Sequence, residues 1–360
     1  MPPSREGDWV ILAQADTYPS YAVLQTSDSG GAVWKNSGTG LRPPNTMINE
    51  EVRIMIRTRE GGFAIAGLAR DLSLRDQTGG FLLIVDSNGA VTGRTYFLYS
   101  PRTGTISALA QTSDGGFVMA AGGGPRGGQV PARLIRCDSV GQILWSRDYP
   151  FGYSAISTNS LKIAPDGSLY LALGVSRTAQ PYNAAILHAD AEGNVHRFEE
   201  FQGPGIDDAV DISLTADGGF LLLGNSNGFP GSGGSMQGFS LRADADWNIV
   251  AVQAYGPYSG NGFFAGMAAL DGKYFALGDV VKGGGLAAWI LTLDPMGALQ
   301  AINPVTLPVT PQPANVASVN TTLTSPVYDV QGKPGFCVLS EGAAAGLGKV
   351  YCLTMEEGTP

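Results

Sequence analysis

The sequence predicts an all-β chain folded as a single seven-bladed β-propeller, residues 1–360, with four-stranded antiparallel blades and incomplete first and last blades. Three observations predict it. One turn signature returns about every fifty residues along the whole chain, and a second follows each copy about twenty residues later. Glycine is abundant, at 51 copies with no collagen triplet, among 44% hydrophobic residues and only 15% charged ones, which suits many short strands joined by tight turns.

The first signature is a polar–Gly–Gly–aromatic turn followed by an apolar run. It reads REGGFAIAG from Arg59, SDGGFVMAA from Ser113 and ADGGFLLLG from Ala216. Weaker copies start at Pro165, Leu270 and Gly332, and REGDWVILAQA from Arg5 matches REGGFAIAGLA from Arg59. The blade anchors are therefore Trp9, Phe63, Phe117, Leu169, Phe220, Tyr274 and Phe336, spaced 54, 54, 52, 51, 54 and 62 residues apart.

The second signature is apolar–x–x–Asp–x–x–Gly–x–apolar, with turns opening at Asp28, Asp86, Asp138, Asp190 and Asp294, a degenerate copy at Asp244 and a last one at Met355. Glycine supplies the positive φ of a tight hairpin and aspartate bonds its own turn. Each unit thus carries four strands, in the fifth unit near 208–215, 219–225, 237–243 and 248–254. Unit one starts at its second strand and unit seven stops before its fourth, which gives 26 strands. Ring closure packs blade one on blade seven, with the N-terminal stub as a short inner strand. The Pro-rich stretch Asn303–Asn315 reads as an extended connector.

The combination T-x-D-G-G-F, apolar strand, L-x-x-D-x-x-G-x-x-x-W resembles the repeat propellers of many bacterial and archaeal proteins. Its best copies are Thr112–Phe117 and Leu134–Trp145, and the match covers essentially the whole chain. The resemblance implies a secreted or surface-attached protein. No basic-then-apolar leader precedes Arg5, so the sequence leaves a cytosolic protein and one that has lost its leader equally open. The motifs specify architecture and leave activity to the site.

A formal net charge of −9 with scattered cations argues against nucleic acid and against an anionic membrane surface or other polyanion. No apolar run is long enough to span a bilayer. Three cysteines make no disulfide framework, yet Cys337 and Cys352 fall on adjacent strands about the 343–346 turn. They are either bonded or two buried thiols.

Catalytic signatures are missing. There is no G-x-S-x-G elbow, no H-E-x-x-H and no P-loop. His188 and His196 flank the Asp190 turn and read as polar residues of one hairpin. Asp244-x-Asp246-x-Asn248 alternates like a hard-cation loop but lacks the downstream glycine and glutamate. Only Trp34 and Trp145 occupy the tryptophan position of quinone-binding propellers. The expectation is no metal and no cofactor.

What remains is the face built by the loops between strands two and three and between blades. The longer of these span 68–79, 121–132, 176–183, 225–238 and 279–286, and this face is expected to carry a partner or ligand through Arg70, Arg75, Arg126, Tyr153, Arg177, Asn227, Tyr258 and Asp279. The main functional expectation is a non-catalytic binding or assembly module for a protein partner in a larger surface assembly. A lectin-like glycan binder is the second reading. The third is a lyase or hydrolase centred on the channel, where Arg57, Lys162 and Asp211 project from first strands.

Overall fold

In the computed structural model the described residues are 9–14, 21–26, 32–37, 48–71, 78–98, 104–122, 131–177, 181–203, 205–229, 234–255, 262–270, 272–282, 285–305, 321–323, 327–328, 334–340 and 349–354. All regular structure among them is β-strand. The chain divides into two compact units, residues 1–202 and 203–360.

In the first unit, β1 (Trp9–Gln14), β2 (Tyr21–Thr26) and β3 (Ala32–Ser37) form a three-stranded meander. The second sheet is β4 (Ile48–Arg57), β5 (Phe63–Asp71), β6 (Thr78–Val85) and β7 (Val91–Leu98). The third is β8 (Thr105–Gln111), β9 (Phe117–Gly122), β10 (Ala132–Cys137) and β11 (Ile143–Tyr149). The fourth is β12 (Ala155–Ile163), β13 (Leu169–Ser176), β14 (Asn183–Ala189) and β15 (Val195–Phe201).

The second unit continues the pattern with β16 (Asp207–Leu214), β17 (Phe220–Ser226), β18 (Gln237–Ala243) and β19 (Ile249–Tyr255). Next come β20 (Gly262–Leu270), β21 (Lys273–Lys282), β22 (Gly285–Leu293) and β23 (Leu299–Val305). The last sheet is irregular: β24 (Thr321–Leu323) and β25 (Val327–Tyr328) both pair β26 (Pro334–Ser340), which pairs β27 (Lys349–Thr354). Twenty strands thus lie in five regular four-stranded antiparallel sheets, β4 through β23. The end segments make a three-stranded and a broken sheet, so among the described residues the full four-stranded pattern is present five times, and the expected count of seven blades is not shown.

The repeat is physical as well as textual. In the five regular sheets each anchor opens or nearly opens the second strand, and Phe63, Phe117 and Phe220 are all buried. Those second strands are the core. Every residue of β9, β13 and β17 is buried, whereas the fourth strands β11 and β19 are mostly exposed. Apolar residues on both faces of a strand mean it is covered on both sides, which stacked sheets provide. A bulge recurs in the first strand of all five regular sheets, at Arg53, Ser107, Asn159, Val210 and Ala265. Each first strand therefore kinks at the same place.

Both turn signatures are explained by their hydrogen bonds. Asp138 Oδ1 accepts the N–H groups of Val140 and Gln142 at 3.0 and 2.8 Å, and Gly141 closes the turn at φ +89°. In T-x-D-G-G-F, Asp114 accepts the Thr112 hydroxyl at 2.6 Å and the Gly116 N–H at 3.1 Å. It also takes a fork from buried Arg136 on β10, at 2.7 and 2.6 Å. Thr215, Asp217 and Arg242 repeat this brace in the fifth sheet.

Neighbouring sheets within each unit are latched by buried polar groups. The Tyr149 hydroxyl donates to the Gly193 carbonyl at 2.7 Å, and the Tyr255 hydroxyl donates to the equivalent Gly297 carbonyl. Asn225 accepts from the Phe264 N–H at 2.7 Å and donates to its carbonyl at 3.3 Å. At Gly238 a Cβ would lie 2.1 Å from the Phe264 ring, so only glycine lets these two sheets close.

Two boundaries differ from expectation. Asn303, Pro304 and Val305 are strand residues paired to Ile290, Trp289 and Ala288, so the Pro-rich connector begins later than Asn303. Lys282 pairs Gly285, leaving a two-residue hairpin where a longer loop was expected from Asp279.

Candidate functional site

The fourth sheet gathers charged and aromatic groups at one end. Tyr153 precedes β12, Arg177 follows β13, Asn183 opens β14 and Glu200 lies near the close of β15. In an antiparallel meander these positions share one end, opposite the Gly167 and Gly193 hairpins.

Three donors converge on the Glu200 carboxylate. The Tyr153 hydroxyl donates to Oε2 at 2.5 Å, Arg177 Nη1 to Oε1 at 2.9 Å, and Asn183 Nδ2 to Oε1 at 2.6 Å. Arg177 Nη2 also donates to the Tyr153 oxygen at 3.0 Å, and the guanidinium sits 4.5 Å from the tyrosine ring centroid. Below them lies an aromatic floor. Phe151 stacks on Phe198 at 4.1 Å, and Tyr153 tilts against Phe198 at 5.9 Å. Phe198 and Glu200 are two apart on β15 and so share a face.

Exposure is graded across the cluster. The Glu200 side chain is 10% exposed and that of Arg177 50%, so the cation forms the mouth and the carboxylate the base. Burial pushes the Glu200 carboxyl up, but the bonds from Arg177, Tyr153 and Asn183 and the charge of Arg177 outweigh it and hold the group at about 2. Burial, with the Glu200 carboxylate as acceptor and neighbouring charge, pushes the Tyr153 phenol up to about 12. At neutral pH the site is a carboxylate, a guanidinium and a fully protonated phenol.

Of the residues singled out in the sequence, Tyr153 and Arg177 meet here. Asn183 and Glu200, which complete the cluster, carried no sequence signal: they lie 17 residues apart and belong to no motif. Arg70 is exposed near the end of β5. Asn227 accepts the Ile206 N–H at 2.7 Å and so closes a loop of the second unit. Asp279 lies within β21, paired to Ala288. Arg75, Arg126 and Tyr258 lie outside the described residues.

The channel candidates lie on the first strands of three different sheets. Arg57 ends β4 opposite Phe63, and Lys162 faces Tyr170 two sheets later. Asp211, in the second unit, is buried and accepts the N–H groups of Ile212 and Met267 at 2.8 and 2.9 Å, a structural latch to β20. Cys337 and Cys352 are direct cross-strand partners in the β26–β27 register. Cys137 is a free, buried thiol that burial pushes up to about 12.

His188 and His196 lie with ring centroids 5.3 Å apart, and His188 stacks on Tyr170 at 4.3 Å. Asp244 is occupied by its own turn, accepting from the Asp246 and Asn248 N–H groups. Among the described residues no group of three or more His, Cys, Asp or Glu is placed to hold a metal.

No family model matches the chain, and no curated protein matches it in sequence. Solved structures do match in fold. An ulvan lyase of polysaccharide lyase family PL25, bound to -[GlcA(1-4)Rha3S]-, matches with a TM-score of 0.60 at 8% identity, over 99% of this chain and 92% of that one. The cobalt-substituted apocarotenoid oxygenase of Synechocystis matches at a TM-score of 0.50 and 11% identity, over 82% and 69% of the two chains. Prolyl oligopeptidase B from Galerina marginata matches at 0.51 and 9%, over 96% of this chain and 49% of its own length. At these identities the likeness is one of fold, and the fold is propeller-like. The expectation of a non-catalytic assembly module is overturned, because the lyase and oxygenase structures that the chain resembles are those of enzymes.

Proposed function

We propose that the chain is an enzyme that cleaves an acidic polysaccharide by β-elimination at a uronate residue, working at the Tyr153–Arg177–Asn183 cluster of the fourth sheet. We further infer that the seven sheets are the blades of one propeller ring, the outermost two being partial. The observation that carries the functional reading is the convergence of phenol, guanidinium and amide on a carboxylate. A site that holds one carboxylate with three donors has the chemistry to hold a sugar carboxylate. The fold likeness to a lyase bound to a glucuronate-containing chain supports the same reading.

The chemistry follows from the charges. A uronate C5–H is acidic only if the adjacent carboxylate is neutralised, and half-exposed Arg177 with Asn183 supplies that neutralisation. When C5–H breaks, its electron pair forms the C4–C5 double bond and expels the C4 oxygen. That leaving oxygen needs a proton, and Tyr153, protonated at every working pH, is the donor. The site therefore sits at the loop end of a sheet and not on the first strands that the channel reading favoured. The net charge of −9 repels a polyanion at long range, so recognition rests on this local cation.

The test is an ultraviolet assay for unsaturated uronate products on a panel of uronate-containing polysaccharides. Tyr153→Phe is expected to lower kcat by about 10²- to 10⁴-fold, the usual worth of a positioned proton donor. Arg177→Ala is expected to raise KM about 10- to 100-fold through loss of a charged hydrogen bond. Absence of unsaturated product on every polymer, or an undiminished kcat for Tyr153→Phe, overturns the reading.

A further inference from the structure

The elimination needs a base as well as an acid, and the same cluster contains one held in check. We propose that Glu200 is a latent base, released when the carboxylate of the bound sugar takes Arg177 and Asn183 away from it. The inference rests on the functional reading above and assigns the second half of its proton traffic.

The geometry supplies the argument. Glu200 is 10% exposed, so water does little to stabilise its charge. Its stability as an anion comes from three protein donors, Tyr153 at 2.5 Å, Asn183 at 2.6 Å and Arg177 at 2.9 Å. Arg177 and Asn183 are also the only two of the three that a sugar carboxylate would recruit, and Arg177 already reaches the surface. Among the described residues, the charged and titratable groups that act on Glu200 are Arg177 and Tyr153. Glu199, the next residue, points to the other side of β15 and pairs with Arg197 at 3.4 Å. Burial is the largest single influence on the Glu200 carboxyl and acts upward, offset only by these donors. Withdraw two of them and burial prevails, so the carboxylate gains proton affinity at the moment substrate arrives.

The step balances without any outside reactant. The C5–H proton passes to Glu200, the electron pair forms the C4–C5 double bond, and the C4–O bond breaks. The leaving oxygen takes the Tyr153 proton. Glu200, now carrying a proton beside the Tyr153 oxygen, returns it to the phenolate as product leaves and Arg177 and Asn183 swing back. Every group ends as it began.

Carbon-13 NMR of the glutamate Cδ atoms, assigned with Glu200→Gln, tests this on the full chain. Free protein is expected to show Glu200 titrating at about 2. Saturating methyl glucuronide, which has no sugar to expel from C4, is expected to move it above the ordinary 4.5, and so is Arg177→Ala/Asn183→Ala with no sugar present. Glu200→Gln is expected to lose about 10²- to 10⁴-fold in kcat with KM within about threefold, whereas a merely structural carboxylate would move KM as well. A titration that stays low in the double variant overturns the proposal whatever the enzyme cleaves. Cleavage of a uronate polymer with no upward movement under methyl glucuronide overturns the triggering while leaving the lyase reading intact. No cleavage of any polymer, with the double variant shifting as expected, removes the lyase reading instead and with it the role of Glu200 as base.

Discussion

Trp247 is the one non-glycine with positive φ among the described residues, at 69°. It occupies the position that glycine fills in the Asp86, Asp138, Asp190 and Asp294 turns, and its N–H closes the turn onto the Asp244 carbonyl at 3.0 Å. A left-handed bulky residue costs about 1–2 kcal/mol. The cost is offset because the indole is 8% exposed and meets Phe220 edge-on at 5.0 Å. Removing a buried tryptophan side chain costs about 3–5 kcal/mol. The second effect wins, so Trp247→Gly is expected to destabilise the protein by about 2 kcal/mol despite restoring the consensus turn residue. Urea denaturation decides it, and a variant more stable than wild type would show that backbone strain dominates. At this scale the sequence was half legible. Tyr153 and Arg177 stood out as an aromatic and a cation on loops. Asn183 and Glu200 did not, because a strand-end residue joins a site only through the register of its sheet, and no spacing rule encodes that across four strands.

The elements themselves were legible because their signals are local. A tight turn needs glycine at positive φ and a side chain that bonds its own backbone, and both demands leave fixed letters such as D-x-x-G. The fifth sheet falls at 207–214, 220–226, 237–243 and 249–255, each bound within a residue of expectation. What the letters concealed were long-range partners. The threonine and aspartate of T-x-D-G-G-F work with an arginine on the third strand, present in the third and fifth sheets and replaced in the fourth by His188. Nor does the sequence mark Tyr149 and Tyr255 as latches, since each bonds a carbonyl more than forty residues away. Tyr255 is 4% exposed and its hydroxyl also meets Ser240 Oγ at 2.6 Å. Tyr255→Phe leaves the buried Gly297 carbonyl and Ser240 hydroxyl without this partner, and is expected to cost about 1–3 kcal/mol. Thermal unfolding of the variant checks this, and an unchanged midpoint would mean that Ser240 alone satisfies Gly297.

At the level of the whole molecule, repetition made the architecture readable and hid the activity. Sheets that recur with the same turns, bulges and braces are a scaffold, and the scaffold's conserved chemistry is its own hydrogen bonding. A phenol and a guanidinium also meet a carboxylate in the second sheet, where Tyr96 and Arg94 donate to the buried Glu50. The fourth sheet differs in adding the Asn183 amide and in bringing Arg177 half out to solvent. The braces and the site share a further property, carboxylates whose ionised form the fold favours. Thr112 and the Gly116 N–H, with Arg136, hold Asp114 at about 2 against an ordinary 3.8, the same causes lower Asp217, and Glu200 stands at about 2 against 4.5. The sign follows directly. A carboxyl whose folded value lies below its unfolded one binds protons more weakly when folded, so it contributes stability above its unfolded value and loses it as pH falls through the folded value. Protonating Asp114 and Asp217 also leaves Arg136 and Arg242, 9% and 5% exposed at the side chain, without their counter-charge. The urea midpoint is therefore expected to change little between neutrality and about pH 5, and to fall steeply between about pH 4 and pH 2. Asp114→Asn should lower the midpoint at neutral pH and flatten the acid limb, because part of what acid removes is already gone. A wild-type midpoint that holds level down to pH 2, or an Asp114→Asn variant with an unaltered acid limb, would place the acid sensitivity elsewhere than in these braces.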